Sequence, residues 1–382
     1  MPDDAASPSD LLFVGMEWFL NMPGGVNRYL YELMMHLAEG DHIEVCAAGL
    51  PEPPANFPIR LTNLAAPDSR LLRRLWDVRH NFARRRLSHP DAINLHFALY
   101  SFPILQDLPK GVPVTFTFHG PWALETEWEG ASRWSVQSRQ WVEQQVYRRC
   151  DRFIVLSKAF GTLLHQTFDI PWDKIHIIPG GVNLTQFQIN LSRQDARTKL
   201  GWPLDRPILF TPRRLVHRMG IDKLLTALEQ VKQQVPEVWL AIAGKGALQE
   251  SLAQQIREQS LEDHVRLLGY LPDVQLPIAY QAADLTVVPS QSLEGFGLIL
   301  VESLACGTPA LCTPVGGMPE VVAPFFPELV TESMEAGAIA DRLTQFLQGQ
   351  LSLPNRDDCR GYAIRQYSWQ RISQNVRSVL LA

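Results

Sequence analysis

The sequence predicts an α/β protein of two doubly wound parallel-sheet domains. Three observations carry this. Short, β-branched apolar runs such as Leu285-Thr286-Val287-Val288 read as strands buried on both faces. Each such run leads into a glycine-bearing loop and then into a helical segment; Val26, Leu30, Leu33 and Leu37 show the 3.6-residue apolar period. The strand–loop–helix series restarts at Pro207 after a polar linker, and 382 residues suffice for two sizeable cores.

Composition narrows the class. Hydrophobic residues make up 46% and charged residues 20%, an ordinary globular balance, and the net charge of −5 carries no basic excess that would suit nucleic acid. Met1 to Asp10 is acidic and polar, and Leu11 to Met16 is far too short for a signal or spanning segment, so a cytoplasmic location is expected. Cys46, Cys150, Cys306, Cys312 and Cys359 are odd in number and scattered, with no C-x-x-C pair. Neither a disulfide framework nor a zinc site is expected.

In chain order, Leu11 to Gly15 reads as the first strand. A loop through Asn21-Met22-Pro23-Gly24-Gly25 follows, and its glycine pair either makes a tight turn or lets a ligand touch the backbone. A strand at 42–46 and a Pro-rich loop come next. The stretch 70–87 then forms an amphipathic helix, with Leu71, Leu75, Val78 and Phe82 on one face and arginines elsewhere. It packs on the sheet, or it touches an anionic membrane surface peripherally. Strands at 93–97 and 112–118 follow, the second ending at His119. The end of a parallel strand is where open sheets bind ligands, although a purely structural histidine also fits. His96 stands as acceptor lining. Trp128, Trp134 and Trp141 are expected in the core, with an acceptor groove as the other reading. Strands at 153–157 and 175–179 flank a helix from Lys158 to Phe168.

In the second half, Pro207 to Thr211 leads into the loop Arg213 to Gly220 and a helix from Ile221. Val238 to Ala243 ends at Gly244-Lys245-Gly246, which lacks P-loop spacing. A strand at 265–271 follows, and then Leu285 to Val288 enters Ser290-Gln291-Ser292-Leu293-Glu294-Gly295-Phe296-Gly297 and a helix from Leu298 to Ala305. The first amides of a helix make an anion site, and glycines let a bulky anion approach. Glu302, one turn inside, can accept hydrogen bonds from a vicinal diol. Dipole stabilisation of an acidic side chain is the plainer alternative.

Glu294 and Glu302, with Glu-Gly-Phe-Gly and the following Glu-Ser-Leu-Ala-Cys-Gly-Thr-Pro, resemble the E-x7-E motif of family 4 glycosyltransferases, which are retaining enzymes of GT-B fold. The resemblance covers nearly the whole chain and is strongest from Arg213 to Glu320. It implies two Rossmann-like domains facing across a cleft: an acceptor-side domain at 1–185, a nucleotide-sugar domain at 186–360, and a closing helix at 361–382 that returns to the first. It also implies a catalytic set of His119, Arg214 and Glu294. Donor contacts would come from Gly24, Gly25, Arg218, Gly244, Lys245, Leu271, Phe296, Gly297, Leu298, Ile299 and Glu302. Pro179 to Asn183 is similar to the family's hinge. Met219 departs from the pattern, standing where the family has Lys; Arg218 is either the replacement cation or a surface residue.

The implied reaction moves a hexosyl unit from a UDP- or GDP-linked sugar to a hydroxyl of a glycan or lipid-linked acceptor, in cell-envelope or exopolysaccharide synthesis. Neither carboxylate reads as a nucleophile, so a front-face course with retention is implied. No D-x-D pair occurs, so no metal and no cofactor is expected. The implied location is cytoplasmic, or peripheral on the inner face of the cytoplasmic membrane through 70–87. A nucleotide-sugar epimerase and a non-catalytic sugar-nucleotide-binding relative are the alternatives.

Overall fold

The computed structural model describes residues 7–15, 24–85, 89–128 and 130–382. The loop residues Asn21 to Pro23, and Arg86 and Leu87 of the basic stretch, lie outside the described residues. The chain forms two compact units, Met1–Gly181 with Trp369–Ala382, and Val182–Ser368.

The first unit is built on seven strands: β1 (Asp10–Val14), β2 (His42–Ala48), β3 (Ile59–Ala65), β4 (Ala92–Leu95), β5 (Val114–Phe118), β6 (Arg152–Val155) and β7 (Ile175–Ile177). They pair in parallel in the order β3-β2-β1-β4-β5-β6-β7. The order reverses between β1 and β4, which opens a crevice at their C-terminal ends. Central strands are buried on both faces and largely apolar, and the polar side chains they do carry are buried, with Thr117 Oγ1 donating to Asn94 Oδ1 at 3.1 Å. Tyr147 packs edge-on against Phe116 at 4.8 Å and Phe168 at 4.9 Å on one side of this sheet. β3 occupies a stretch that the sequence reads as loop. It is an edge strand, and its exposed Arg60 and Asn63 break the apolar run that marks its neighbours.

Trp128, Trp134 and Trp141 are not in the core. They stand 58, 84 and 52% exposed. The helix Arg133–Tyr147 turns Glu143, Val146 and Tyr147 inward, which leaves Trp134 and Trp141, seven residues apart, on its outer face. The helix Leu71–Arg84 seats Val78 and Phe82 on the sheet but exposes Leu71, Leu72 and Trp76. All five cysteines are buried and free.

The second unit has five parallel strands: β8 (Ile208–Pro212), β9 (Trp239–Ala243), β10 (Val265–Gly269), β11 (Leu285–Val288) and β12 (Ala310–Cys312). Their order is β10-β9-β8-β11-β12, with the reversal between β8 and β11. The helices Ile221–Gln234 and Leu298–Ala305 follow β8 and β11. The segment that reads as one closing helix is two. Arg356–Tyr367 belongs to the second unit, Ser368 is extended, and Trp369–Leu381 belongs to the first.

Arg377 on that last helix grips Asp41 through two nitrogens, at 2.7 and 2.9 Å, and the Asp41 side chain is only 1% exposed. Removing the guanidinium would strand a buried carboxylate. Arg377→Ala should destabilise the first unit by roughly 2 kcal/mol, less than a fully enclosed pair would, since Arg377 is itself 27% exposed. A denaturant melt followed by Trp369 fluorescence checks this; an unchanged midpoint would show that the pair contributes nothing.

Candidate functional site

The loops after β8, β9, β11 and β12 meet at one end of the second sheet. Arg213 N donates to Ala243 O at 2.8 Å, Leu215 N to Lys245 O at 3.0 Å, and Gln291 N to Arg218 O at 2.8 Å. Gly317 N donates to Glu294 O at 2.9 Å. Two glycines make this approach possible. A Cβ on Gly244 would lie 1.9 Å from Arg213 O, and one on Gly316 the same distance from Glu294 O. Both also have positive φ, +152° and +56°, which L side chains avoid.

Glu294 sits in the crevice between β8 and β11. Its carboxylate accepts from Arg213 Nη2, and from Ser290 Oγ at 3.2 Å. Arg213 Nη2 also reaches Ser290 Oγ. Burial pushes the Glu294 carboxyl up. The Arg213 charge and hydrogen bond, the Arg218 charge and the Ser290 hydroxyl outweigh it and hold the group below the usual carboxylate range. The residue before it, Leu293, has φ +49°, an uncommon conformation for a branched side chain, and its carbonyl lies 3.4 Å from Arg218 Nη1.

The other residues singled out in this unit take different positions. Arg214 and Lys245 are exposed on loops joined by the Leu215–Lys245 hydrogen bond. Met219 is buried at 5% exposure. Leu271 is half-buried beyond β10. Phe296 is buried edge-on to Tyr367, with centroids 5.6 Å apart, so its ring anchors the loop and its backbone stays with Gly297. Gly297, at φ +88°, is the N-cap of Leu298–Ala305, and Leu298 and Ile299 are half-buried in the first turn. Their amides precede any intrahelical acceptor, so they are available to an anion. Glu302 is buried and accepts from Tyr280 Oη at 2.9 Å.

Two residues with a hand in this geometry escape a sequence reading: Arg213 and Tyr280. The pattern holds a signal for the first. Arg213 and Arg214 are adjacent at a strand end, where successive side chains point to opposite sides, so one alone can face Glu294. Tyr280 lies on the helix Leu276–Ala282, and no motif marks it.

In the first unit, His119 follows β5 and His96 follows β4. His96 Nδ1 and His119 Nε2 are 3.0 Å apart, and the rings stack at 5.3 Å. Burial drives both imidazoles toward the neutral form, His119 down to about 3 and His96 well below its usual value. Tyr29 packs edge-on to His119 at 5.1 Å. Gly24 and Gly25 begin the helix Gly25–Leu37 on an exposed edge, and a Cβ on Gly24 would meet nothing within 4 Å. Among the described residues no group of three or more His, Cys, Asp or Glu side chains is gathered for a metal.

Replacing Arg213 with Met would leave burial to act on Glu294 without its compensation. A carboxyl held below its ordinary value of 4.5 stabilises the fold above that pH and loses the contribution as the pH falls through its folded value. The penalty of Arg213→Met should therefore be full while both proteins keep Glu294 ionised, begin to shrink as the pH falls through the variant's carboxyl, which burial raises, and stop changing once the pH is below the wild-type folded value, itself under 4.5. Denaturant midpoints of both proteins across that range test this; a penalty independent of pH would break the link to Glu294.

Two family descriptions match the chain, "Glycosyltransferase Family 4" over residues 23–186 and "Glycosyl transferases group 1" over 192–380. The chain is 30% identical over 276 residues to a D-inositol 3-phosphate glycosyltransferase of Segniliparus rotundus, covering 70% of this chain and 60% of that one. It is 29% identical over 214 residues to a GDP-mannose-dependent alpha-(1-6)-phosphatidylinositol monomannoside mannosyltransferase of Mycolicibacterium smegmatis, covering 54% of each. The chain spans 45 to 60% of the length of the curated relatives it first matches. Among solved structures, a sucrose-phosphate synthase of Thermosynechococcus elongatus superposes with a TM-score of 0.80 at 23% identity, over 98% of both chains. An Anabaena protein, HepE, solved with UDP and glucose, does so with a TM-score of 0.78 at 20% identity, over 97% of this chain and 99% of that one. These structural likenesses concern the fold, which is GT-B. With both units matched by descriptions of one family, the chain belongs to the family 4, group 1 glycosyltransferases.

Proposed function

We propose that the protein moves a hexosyl unit from a nucleotide diphosphate sugar to a hydroxyl of a glycan or glycolipid, with retention at the anomeric carbon. The observation that carries this is an ionised Glu294 at the β8–β11 crevice, beside the open first turn of Leu298–Ala305 and two arginines. An acid kept charged by Arg213 is a strong hydrogen-bond acceptor for sugar hydroxyls. The amides of Leu298 and Ile299 and the cations Arg214, Arg218 and Lys245 suit a pyrophosphate, whose charge grows as it leaves. Glu302, held by Tyr280, is suited to a ribose diol, and the turn at Leu271 to the base. On this reading the second unit binds the donor. In the first unit, His119 at its strand end is suited to contact a sugar, and the Gly24-Gly25 turn lets a ligand approach the backbone. The departing phosphate helps deprotonate the acceptor, so no metal is required.

The base is UDP- or GDP-type. Relatives named for GDP-mannose and a structural neighbour solved with UDP-glucose support both. Thermal shifts with UDP, GDP, ADP and their sugars should single out one base. With that donor, Glu294→Ala and Arg214→Ala should each reduce turnover by about 10²-fold or more while the melting curve stays cooperative. A near-normal rate in either variant removes that residue from the site. Nucleotide sugar converted to an epimer without an acceptor would favour the epimerase alternative.

A glycolipid acceptor is favoured by the helix Leu71–Arg84. Leu71, Leu72 and Trp76 are 52, 83 and 54% exposed, and Arg73 lies over the Trp76 ring at 5.1 Å. Apolar side chains bordered by arginines suit an anionic membrane surface, and no helix among the described residues is long and apolar enough to cross one. The protein should float with vesicles of anionic lipid and not with neutral ones, and Leu72→Ser with Trp76→Ser should abolish flotation. Active enzyme that floats with neither vesicle would exclude the contact.

A further inference from the structure

We propose that His96 is a positioning residue that locks His119 in its Nδ1–H tautomer, so that His119 offers a hydrogen-bond donor to the carbohydrate and does not act as a base. The inference rests on the reading above that His119 contacts the sugar.

The two imidazoles share one proton across the 3.0 Å contact between His96 Nδ1 and His119 Nε2. Both are neutral at physiological pH, because burial disfavours the imidazolium in each. Two arrangements then exist. If His119 Nε2–H donates, the proton of His96 must sit on its own Nε2. That atom is sealed from solvent and has no partner among the described residues. If His96 Nδ1–H donates, His96 Nε2 is a bare lone pair instead. A buried orphan N–H is the rarer and costlier of the two outcomes. The second arrangement therefore prevails, and it forces the proton of His119 onto Nδ1.

Position supports the assignment. His96 follows β4, at the point where the strand order of this sheet reverses, and its own N–H donates to Val14 O at 2.9 Å. It is only 3% exposed, and its ring lies 5.8 Å from Phe13 and 6.4 Å from Tyr29. His119 is less enclosed, and its hydrogen bond to His96 engages Nε2, not Nδ1. A buried ring, on a residue whose main-chain amide is tied to β1, thus orients a more accessible one, the arrangement by which a supporting shell fixes a working group.

The test reads the tautomer directly, in the full-length protein with ¹⁵N-labelled histidine. Long-range ¹H–¹⁵N spectra of the wild type should show His119 Nδ1 as protonated and Nε2 as bare. His96→Leu should mix the two tautomers, and His96→Asn, whose amide nitrogen can occupy the Nδ1 position, should restore the first. Turnover, followed as GDP release from GDP-mannose or UDP release from UDP-glucose, should fall about tenfold in kcat for His96→Leu and return to within about threefold for His96→Asn. A wild-type His119 protonated on Nε2, or a His119 tautomer unchanged in His96→Leu, overturns the proposal. If His96→Leu does not fold, the wild-type spectrum decides alone. His119→Ala with wild-type turnover would instead remove His119 from the reaction, a result that the spectra do not depend on.

Discussion

The ion pair between Arg213 and Glu294 is the constraint on which the second unit's strand-end loops depend. The segment Ser290 to Gly297 has no regular ladder, and it carries Leu293 in a left-handed conformation that costs about 1–2 kcal/mol. Such a loop keeps one shape only if its neighbours over-determine it. Arg213, just past β8, supplies a charge-assisted bond, and Thr313 Oγ1, just past β12, donates to Ser290 O at 2.5 Å. Arg218 O and Gly317 N close the remaining gaps. Partly buried ion pairs add little net stability, since desolvation offsets most of the attraction. What this one supplies is a fixed position for an ionised carboxylate.

The first unit solves the same burial problem in the opposite way. Its strand-end crevice holds two imidazoles and a phenol, His96, His119 and Tyr29, and among the described residues the histidines pair with each other and with Tyr29 rather than with a carboxylate. Burial therefore neutralises them where Arg213 keeps Glu294 charged. Two sheets of one architecture thus present different chemistry: fixed charges in one, neutral donors and acceptors in the other. That division fits a reaction in which one partner is a polyanion and the other a neutral hydroxyl.

Much of this was legible in the residues. The strand Leu285–Val288 and the helix Leu298–Ala305 stand where the apolar runs place them, because strands buried on both faces leave a continuous signal. β3 did not, because an edge strand needs only one apolar face. The exposed tryptophans misled for a related reason: a large apolar ring reads as core, yet the buried side of Arg133–Tyr147 is set by Glu143, Val146 and Tyr147. Glu143 is a carboxyl that the pattern would place outside. It is buried because it accepts from Trp122 N and Ala123 N at the start of the preceding helix, and that burial pushes its carboxyl up to about 7. The break at Ser368 has no glycine or proline to announce it.

Met219 shows how a departure from a family pattern is absorbed. The short turn His217–Met219 has three residues per turn, so adjacent side chains diverge by about 120°. Met219 is buried, where an ammonium would have to shed its water. Arg218, one step earlier, points to the Glu294 loop, with its guanidinium at Leu293 O and its charge felt by Glu294. A lysine moved back by one residue would place a compact charge there, with no planar fork to span carbonyl and anion together.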